Sequence, residues 1–257
     1  MGPPRHTAPP FVRLAAHPLR WQLLTALAHS DLRVRELVSL LGQPQNLLSY
    51  HLRLLRDGGL VTSTRSSFDG RDSYYHLDLD SCIHALTGTG TALHPALRLD
   101  GTTPAAPLHP RPPRTVLFVC TGNSARSPVA EAHLRRHTAG HVQVTSAGSR
   151  PRPQLHPYAV RALRDQFGVD VTDQRPRHLD TLAGRRFDYV ITLCDKAREV
   201  CPDLGSPAGR LHWSIPDPAA TGTREDYPTF LRIAADIDTR VRHLLPVLAT
   251  EPQETTP

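Results

Sequence analysis

Thr115-Val-Leu-Phe-Val-Cys120-Thr-Gly-Asn-Ser-Ala-Arg126-Ser127-Pro128 is the stretch on which the reading of the fold turns. Its opening TVLFVC is a short, uninterrupted apolar run, the pattern of a strand buried on both faces of a parallel sheet. Gly122, Ser124 and Ser127 then make a turn, and Pro128 stands where a helix starts, with the helix running through His137. A strand feeding a helix through a tight polar loop gathers backbone N–H groups and the positive end of the helix dipole around one point. A tetrahedral oxyanion needs that environment. Gly122 lets the chain curl, Thr121, Gly122, Asn123, Ser124, Ala125 and Arg126 form the wall, and the Arg126 guanidinium offers a planar fork for two oxygens. The same field favours the thiolate of Cys120, its reactive form, and Ser127 is placed to donate to that sulfur.

Downstream, strand-like and helix-like segments alternate. HVQVTSAG (141–148), FDYVITL (187–193) and RLHWSI (210–215) read as strands; PYAVRALRDQFG (157–168) and Tyr227 to Val247 read as helices. Alternation of this kind predicts an α/β fold with a parallel sheet flanked by helices over 115–249. Ligands in such sheets bind at the carboxyl ends of the strands. Upstream, residues 85–114 are rich in Pro and Gly without a sustained period and read as a linker, and 250–257 reads as a disordered tail. Residues 1–84 form a second block, read as α+β. Phe11 to Ala28 carries apolar residues at helical spacing with Pro18 as a kink or late start. Val34 to Leu41 is a short helix, with Asp31 or a neighbour as its cap and Gly42 as its stop. A third helix starts near Pro44 and ends at Gly58-Gly59, and LVTSTRSS and SYYHLDL flank a Gly-containing hairpin turn.

The Cys-x5-Arg-Ser loop of Cys120 to Ser127, with Asp217-Pro218 far downstream, resembles the low-molecular-weight protein tyrosine phosphatase superfamily. The resemblance implies that Cys120 is the nucleophile, Arg126 binds the oxyanion and Asp217 protonates the leaving oxygen. A second feature shifts the expected reaction. FDYVITL ends in TLC, so Cys194 and Cys120 both close parallel strands and should emerge on the same sheet edge, and Cys201 follows. The TLC-x6-C segment resembles that of the thioredoxin-coupled arsenate reductases. That resemblance implies that Cys194 attacks Cys120 after arsenate has bound, that Cys201 then attacks Cys194, and that thioredoxin, as electron donor, reduces the resulting disulfide. No other cofactor is implied. Were 194–201 wholly helical, the two Cα atoms would lie roughly 10 Å apart at about 1.5 Å per residue. A disulfide requires less than about 7 Å, so the segment must partly unwind on oxidation. Ala219 and Ala220 follow Asp217-Pro218, where phosphatases of this fold carry aromatics to hold a phenol ring. Their absence favours a small inorganic oxyanion. Some members bind potassium through Asn, Glu, Ser and Asp. Asn123, Glu131 and Ser146 match, but Arg177 stands for the Asp and can replace the cation's charge, so no metal site is expected.

Residues 11–80 resemble the ArsR family of winged helix-turn-helix repressors through AAHPLRWQLLTAL, NLLSYHLRLLRDGGLV and the hairpin. The resemblance implies that the third helix enters the DNA major groove, with Gln45, Asn46, Ser49, Tyr50 and His51 as groove or phosphate contacts and Arg65 and Arg71 reaching phosphates from the wing. Arsenite-sensing members carry cysteines on the second helix; Arg33 and Arg35 stand there instead and cannot ligate a soft ion. The segment TGTGTALHPAL looks a poor helix, which leaves the family's dimer helix open, although a homodimer is expected.

Composition limits the alternatives. The 257 residues include 30 Lys and Arg against 24 Asp and Glu, a net charge of +6, and Lys196 is the single lysine. No apolar run reaches the length of a membrane span, no secretory segment is evident at MGPPRHTAPP, and four cysteines are too few for a disulfide scaffold. A soluble cytoplasmic protein with no membrane partner is the expectation. His133 and His137 share a helix face at metal-capable spacing but read as a solvated face, and Trp21 and Trp213 read as core. The leading expectation is an arsenate reductase fused to a DNA-binding regulator. The alternatives are a regulator whose second domain senses an oxyanion, and a tyrosine phosphatase.

Overall fold

Pro18 divides the N-terminal apolar stretch into two helices rather than bending one. In the computed structural model, which describes residues 8–94, 114–202, 204, 210–219 and 227–249, α1 spans Pro10–Ala15 and α2 spans Pro18–Leu27. His17 caps α2: its Nδ1 accepts the Leu19 N–H at 3.2 Å. Leu19, Leu23, Leu24 and Leu27 line the buried face of α2. Trp21 falls between them on the other side and is 54% exposed, so it is not a core residue as its type suggested. Strand β1 (Leu32–Arg33) leads into α3 (Val34–Leu41), which stops at Gly42 with φ of 63°. The cap of α3 is not Asp31. The Glu36 carboxylate accepts the Arg33 N–H at 2.8 Å, and Asp31 instead takes a bond from His76 Nδ1 at 2.9 Å.

Helix α4 (Gln45–Asp57) buries Leu48, Leu52 and Leu55 against α2 and α3. Strands β2 (Val61–Arg65) and β3 (Ser73–Leu77) form the expected hairpin, and β1 joins it in an antiparallel sheet of order β1-β3-β2. Helix α5 spans Leu79–Leu93, which corrects the reading of 85–93 as linker. Gly88 and Gly90 weaken a helix by about 1 kcal/mol each, but other contacts outweigh them. Asp78 accepts the Ser81 N–H at 2.9 Å, Thr89 bonds back to the Ala85 carbonyl at 2.7 Å, and Cys82 and Leu79 pack on the first core. Positions 95–113 of the expected linker, and the tail 250–257, lie outside the described residues.

The chain divides into two units, Met1–Pro104 and Ala105–Pro257. The second is built on a wholly parallel sheet of order β5-β4-β6-β7. Its strands are β4 (Thr115–Cys120), β5 (Gln143–Gly148), β6 (Tyr189–Thr192) and β7 (Arg210–His212). Val116 to Val119 and Val190 to Ile191 are wholly buried in the middle of the sheet, as strands covered on both faces require. The crossovers are α6 (Arg126–His137), α7 (Pro157–Phe167) and α8 (Asp195–Val200), and α9 (Tyr227–Ala249) packs on α6 and α7. Helix α7 ends at Gly168, whose φ of 66° suits glycine. Parallel register puts Cys120 beside Gly148 and Val119 beside Thr192, so the loops after β4, β5 and β6 share one edge. No helix among the described residues is long and apolar enough to cross a membrane.

Candidate active site

Cys120 is the last residue of β4 and is 2% exposed. The loop that follows folds back over its sulfur. The Asn123 N–H donates to Cys120 Sγ at 3.2 Å, and Ser127 Oγ lies 3.0 Å from the same sulfur. Asn123 reaches this position with φ of 43°, in the left-handed region that Asn tolerates better than most residues. Its side chain locks the turn: Nδ2 donates to Ser127 Oγ at 3.0 Å and to Ser146 Oγ at 2.8 Å, while Oδ1 accepts the Arg177 N–H at 2.8 Å. Gly148 allows the close approach. A Cβ there would meet the Thr121 carbonyl at 2.7 Å and the Asn123 backbone nitrogen at 2.9 Å.

Arg126 begins α6 and is buried. Its Nη1 donates to the Ile215 carbonyl at 3.1 Å, and its Nη2 pairs with Asp217 Oδ2 at 3.1 Å. The sequence reading put Arg126 and Asp217 in one site across 91 positions of chain, and the structure joins them directly. The Asp217 side chain is 42% exposed, placing a carboxyl between the loop and solvent. Ala219 follows without an aromatic wall; Ala220 lies outside the described residues.

The second thiol is beside the first loop. Cys194 Sγ lies 3.3 Å from Thr121 Oγ1, and the cysteine is 2% exposed. Cys194 and Cys201 flank α8 at its two ends. Burial pushes the Cys201 thiol up, against the Arg210 charge that pulls it down. Arg210 also donates from Nη1 to the Cys201 carbonyl. A disulfide between the two ends of this helix requires the helix to open.

Three neighbours of Cys194 were not singled out from sequence. Asp195, the first residue of α8, accepts from Ser214 Oγ at 2.8 Å and pairs with His212 Nε2 at 3.1 Å. His212 Nδ1 lies 2.9 Å from Thr192 Oγ1. The signal was the carboxylate directly after Cys194 and the polar residues on either side of Trp213 in β7 and its extension. Trp213 itself is buried, as expected.

Two readings near the loop are corrected. Glu131 is met by Arg135, whose Nη2 lies 2.5 Å away, and by Gln174 Nε2 at 2.7 Å, so the charge that neutralises it comes from Arg135 and not from Arg177. His133 is fully buried rather than solvated. Its Nδ1 lies 3.4 Å from Asp238 Oδ1 on α9, and His137 Nε2 lies 2.7 Å from the same oxygen. Burial pushes His133 down to about 4, and Asp238 pulls it up only in part. No group of three or more His, Cys, Asp or Glu gathers to hold a metal among the described residues.

On α4, Gln45, Asn46, Ser49 and Tyr50 are exposed along one side of the first two turns, and Arg65 and Arg71 are exposed on the hairpin. His51 is not with them. It is 5% exposed, its ring 4.4 Å from that of His17, because its position on α4 faces α2. Arg33 and Arg35 tie the start of α3 to the hairpin turn: Arg35 Nη2 lies 3.1 Å and Arg33 Nη1 3.6 Å from Asp72 Oδ2.

Residues 115–254 match the model of the low molecular weight phosphotyrosine protein phosphatase family, and residues 17–63 match that of the bacterial regulatory protein, arsR family. The chain is 35% identical over 129 residues to the arsenate reductase of Brevibacillus brevis, covering 50% of this chain and 92% of that one. It is 37% identical over 131 residues to the arsenate reductase of Bacillus licheniformis, covering 50% and 93%. Among solved structures, the arsenate reductase from Archaeoglobus fulgidus aligns at 30% identity with a TM-score of 0.43, covering 51% of this chain and 98% of that one.

Proposed function

The chain belongs to the low molecular weight phosphotyrosine protein phosphatase family, and from that premise we propose that its second unit is a thioredoxin-coupled arsenate reductase working through a three-cysteine relay. The observation that carries the reading is the placement of Cys194 beside the Cys120 loop, 3.3 Å from Thr121 Oγ1, with Cys201 at the far end of the same short helix. A phosphatase has no use for the second and third thiols. The names of the relatives point the same way.

In this reading the Cys120 thiolate attacks arsenic of a bound arsenate. The Arg126 fork and the loop N–H groups stabilise the charge on oxygen, and Asp217 protonates the oxygen that leaves as water. The product is a Cys120 thioester of As(V). The Cys194 thiolate then attacks Cys120 Sγ. A sulfur–sulfur bond forms, the sulfur–arsenic bond breaks, and its electron pair stays on arsenic, which departs as arsenite. Cys201 attacks Cys194 Sγ and releases the Cys120 thiolate, leaving a Cys194–Cys201 disulfide for the dithiol of thioredoxin. The Asp195–His212–Ser214 cluster holds the Cys194 end of α8, so the helix opens from its Cys201 end.

The first unit is read as a DNA-binding module. Gln45, Asn46, Ser49 and Tyr50 face the major groove, with Arg65 and Arg71 on the phosphates. Ile83, Leu86 and Leu93 are exposed along α5 at spacings of one helix face, which suits pairing with a second copy.

Arsenate-dependent NADPH oxidation with thioredoxin and its reductase tests the relay. Wild type is expected to turn over, and Cys194→Ser is expected to lose arsenate turnover while retaining p-nitrophenyl phosphate cleavage. A wild type that cleaves the ester but does not reduce arsenate refutes the reductase reading and leaves the phosphatase one.

A further inference from the structure

The segment after β5 runs along the Cys120 loop one residue at a time. The Arg150 N–H donates to the Thr121 carbonyl at 2.8 Å, the Arg152 N–H to the Gly122 carbonyl at 2.9 Å, and the His156 N–H to the Ser124 carbonyl at 2.8 Å. From a third direction, the Arg177 N–H holds the Asn123 side chain at 2.8 Å. Three arginines are thus fixed to three successive loop residues through their backbones, which leaves their side chains free for another task. All three are exposed, and none of their guanidinium groups has an ion-pair or hydrogen-bond partner among the described residues. The stem of Arg152 lies over the loop itself: a Cβ at Gly122 would sit 3.3 Å from Arg152 Cγ.

Unpaired cations whose backbones are fixed to the residues of an anion loop are placed to act on whatever approaches it. We propose that Arg150, Arg152 and Arg177 form a cationic collar around the Cys120 loop that draws in small oxyanions and favours anionic over neutral reagents. The proposal deepens the oxyanion reading of the loop and rests on it. Arg126 lies inside the pocket, paired with Asp217, and grips the bound anion. The collar acts earlier, on approach, where its field extends about a Debye length, roughly 10 Å at 0.1 M salt. An aryl phosphate carries its ring past the rim and profits less than a bare tetrahedral dianion. The rim is therefore a determinant of specificity that makes no contact with the reacting atoms.

The test compares alkylation of Cys120 by iodoacetate, an anion, with alkylation by iodoacetamide, its neutral counterpart, in the full chain, with the modified peptide identified by mass. The variant is Arg150→Gln/Arg152→Gln/Arg177→Gln, which keeps every backbone bond just described. At low salt the iodoacetate-to-iodoacetamide rate ratio should fall about fivefold in the variant, and 0.5 M NaCl should bring wild type down to the same ratio. An unchanged ratio overturns the collar, and so does an equal slowing of both reagents, which marks a distorted loop. Arsenate turnover is read separately. A wild type with no turnover but a salt-sensitive ratio that the variant abolishes refutes the reductase reading and leaves the collar standing.

Discussion

Acidification should loosen the second unit through His133, and the size of the effect follows from its surroundings. His133 is on α6, the helix that begins with Arg126 and Ser127, and it is fully buried between Phe167, Asp238 and the rest of α9. Burial pushes it down from an ordinary 6.5 to about 4. Asp238 remains ionised over this range: burial pushes it up, but the bond from His137 and the charges of His137 and Arg242 hold it below the usual carboxylate range. In the unfolded chain His133 titrates near 6.5, so the unfolded state takes up the proton first as pH falls. Stability is thus intact above pH 6.5 and is lost on the way down through pH 4. Between pH 7 and pH 5 the loss is about 2 kcal/mol, rising to about 3 kcal/mol once the folded state is also protonated. Urea denaturation at the two pH values measures it. Trp213 is buried and reports this unit, and a Trp21→Phe background removes the other indole. The His133→Gln variant, having no group to titrate there, should show a pH dependence smaller by about 2 kcal/mol. Equal pH dependence in variant and parent would refute the reasoning, because the proton would then be taken up elsewhere.

Two further outcomes are expected. Gly148→Ala should destabilise the second unit by about 2 kcal/mol and abolish reaction of Cys120 with iodoacetamide in its native form, since the added methyl meets the Thr121 carbonyl at 2.7 Å and Asn123 at 2.9 Å; thermal melts and mass-mapped alkylation read both. Leu86→Glu places a charge in the exposed stripe on α5; if that stripe pairs two copies, the variant should be a monomer in light scattering where wild type is a dimer, with an unchanged circular dichroism spectrum, and a wild-type monomer would refute the pairing.

The parts legible in the sequence are those where one local pattern implies one structure. Val116 to Cys120 has no polar residue to turn outward, so it had to be a central strand, and both cysteines after strand ends had to share an edge because parallel strands end on one side. The parts that were not legible depend on partners distant in sequence. His133 and His137 look solvated because Arg135 and Arg136 crowd the same helix, yet the buried side of α6 is set by α9, whose Asp238 lies 101 positions beyond His137. His51 sits among exposed residues on α4, but a step of one residue turns a side chain by about 100°, which carries it from the open face to α2. The end of α5 reads as linker because two glycines and three threonines argue against a helix locally, whereas Asp78 at its start and the core beneath Cys82 argue for it from outside the segment.

The same distinction bears on the site. Cys120 and Arg126 announce themselves by their fixed places in the Cys-x5-Arg-Ser loop, and Asp217 by the Pro218 that follows it. Asp195, His212 and Ser214 do not, since any of them alone is an ordinary polar residue. Together they bury a carboxylate, an imidazole and a hydroxyl at the Cys194 end of a six-residue helix, while the Cys201 end is held by the Arg210 bond to a carbonyl and the last turn of the helix. Buried polar groups that satisfy one another are costly to separate, so the two ends of α8 resist opening unequally. That asymmetry suits the proposed relay, in which the thiol that attacks Cys120 would stay aligned with the loop while the thiol that collects the disulfide would travel.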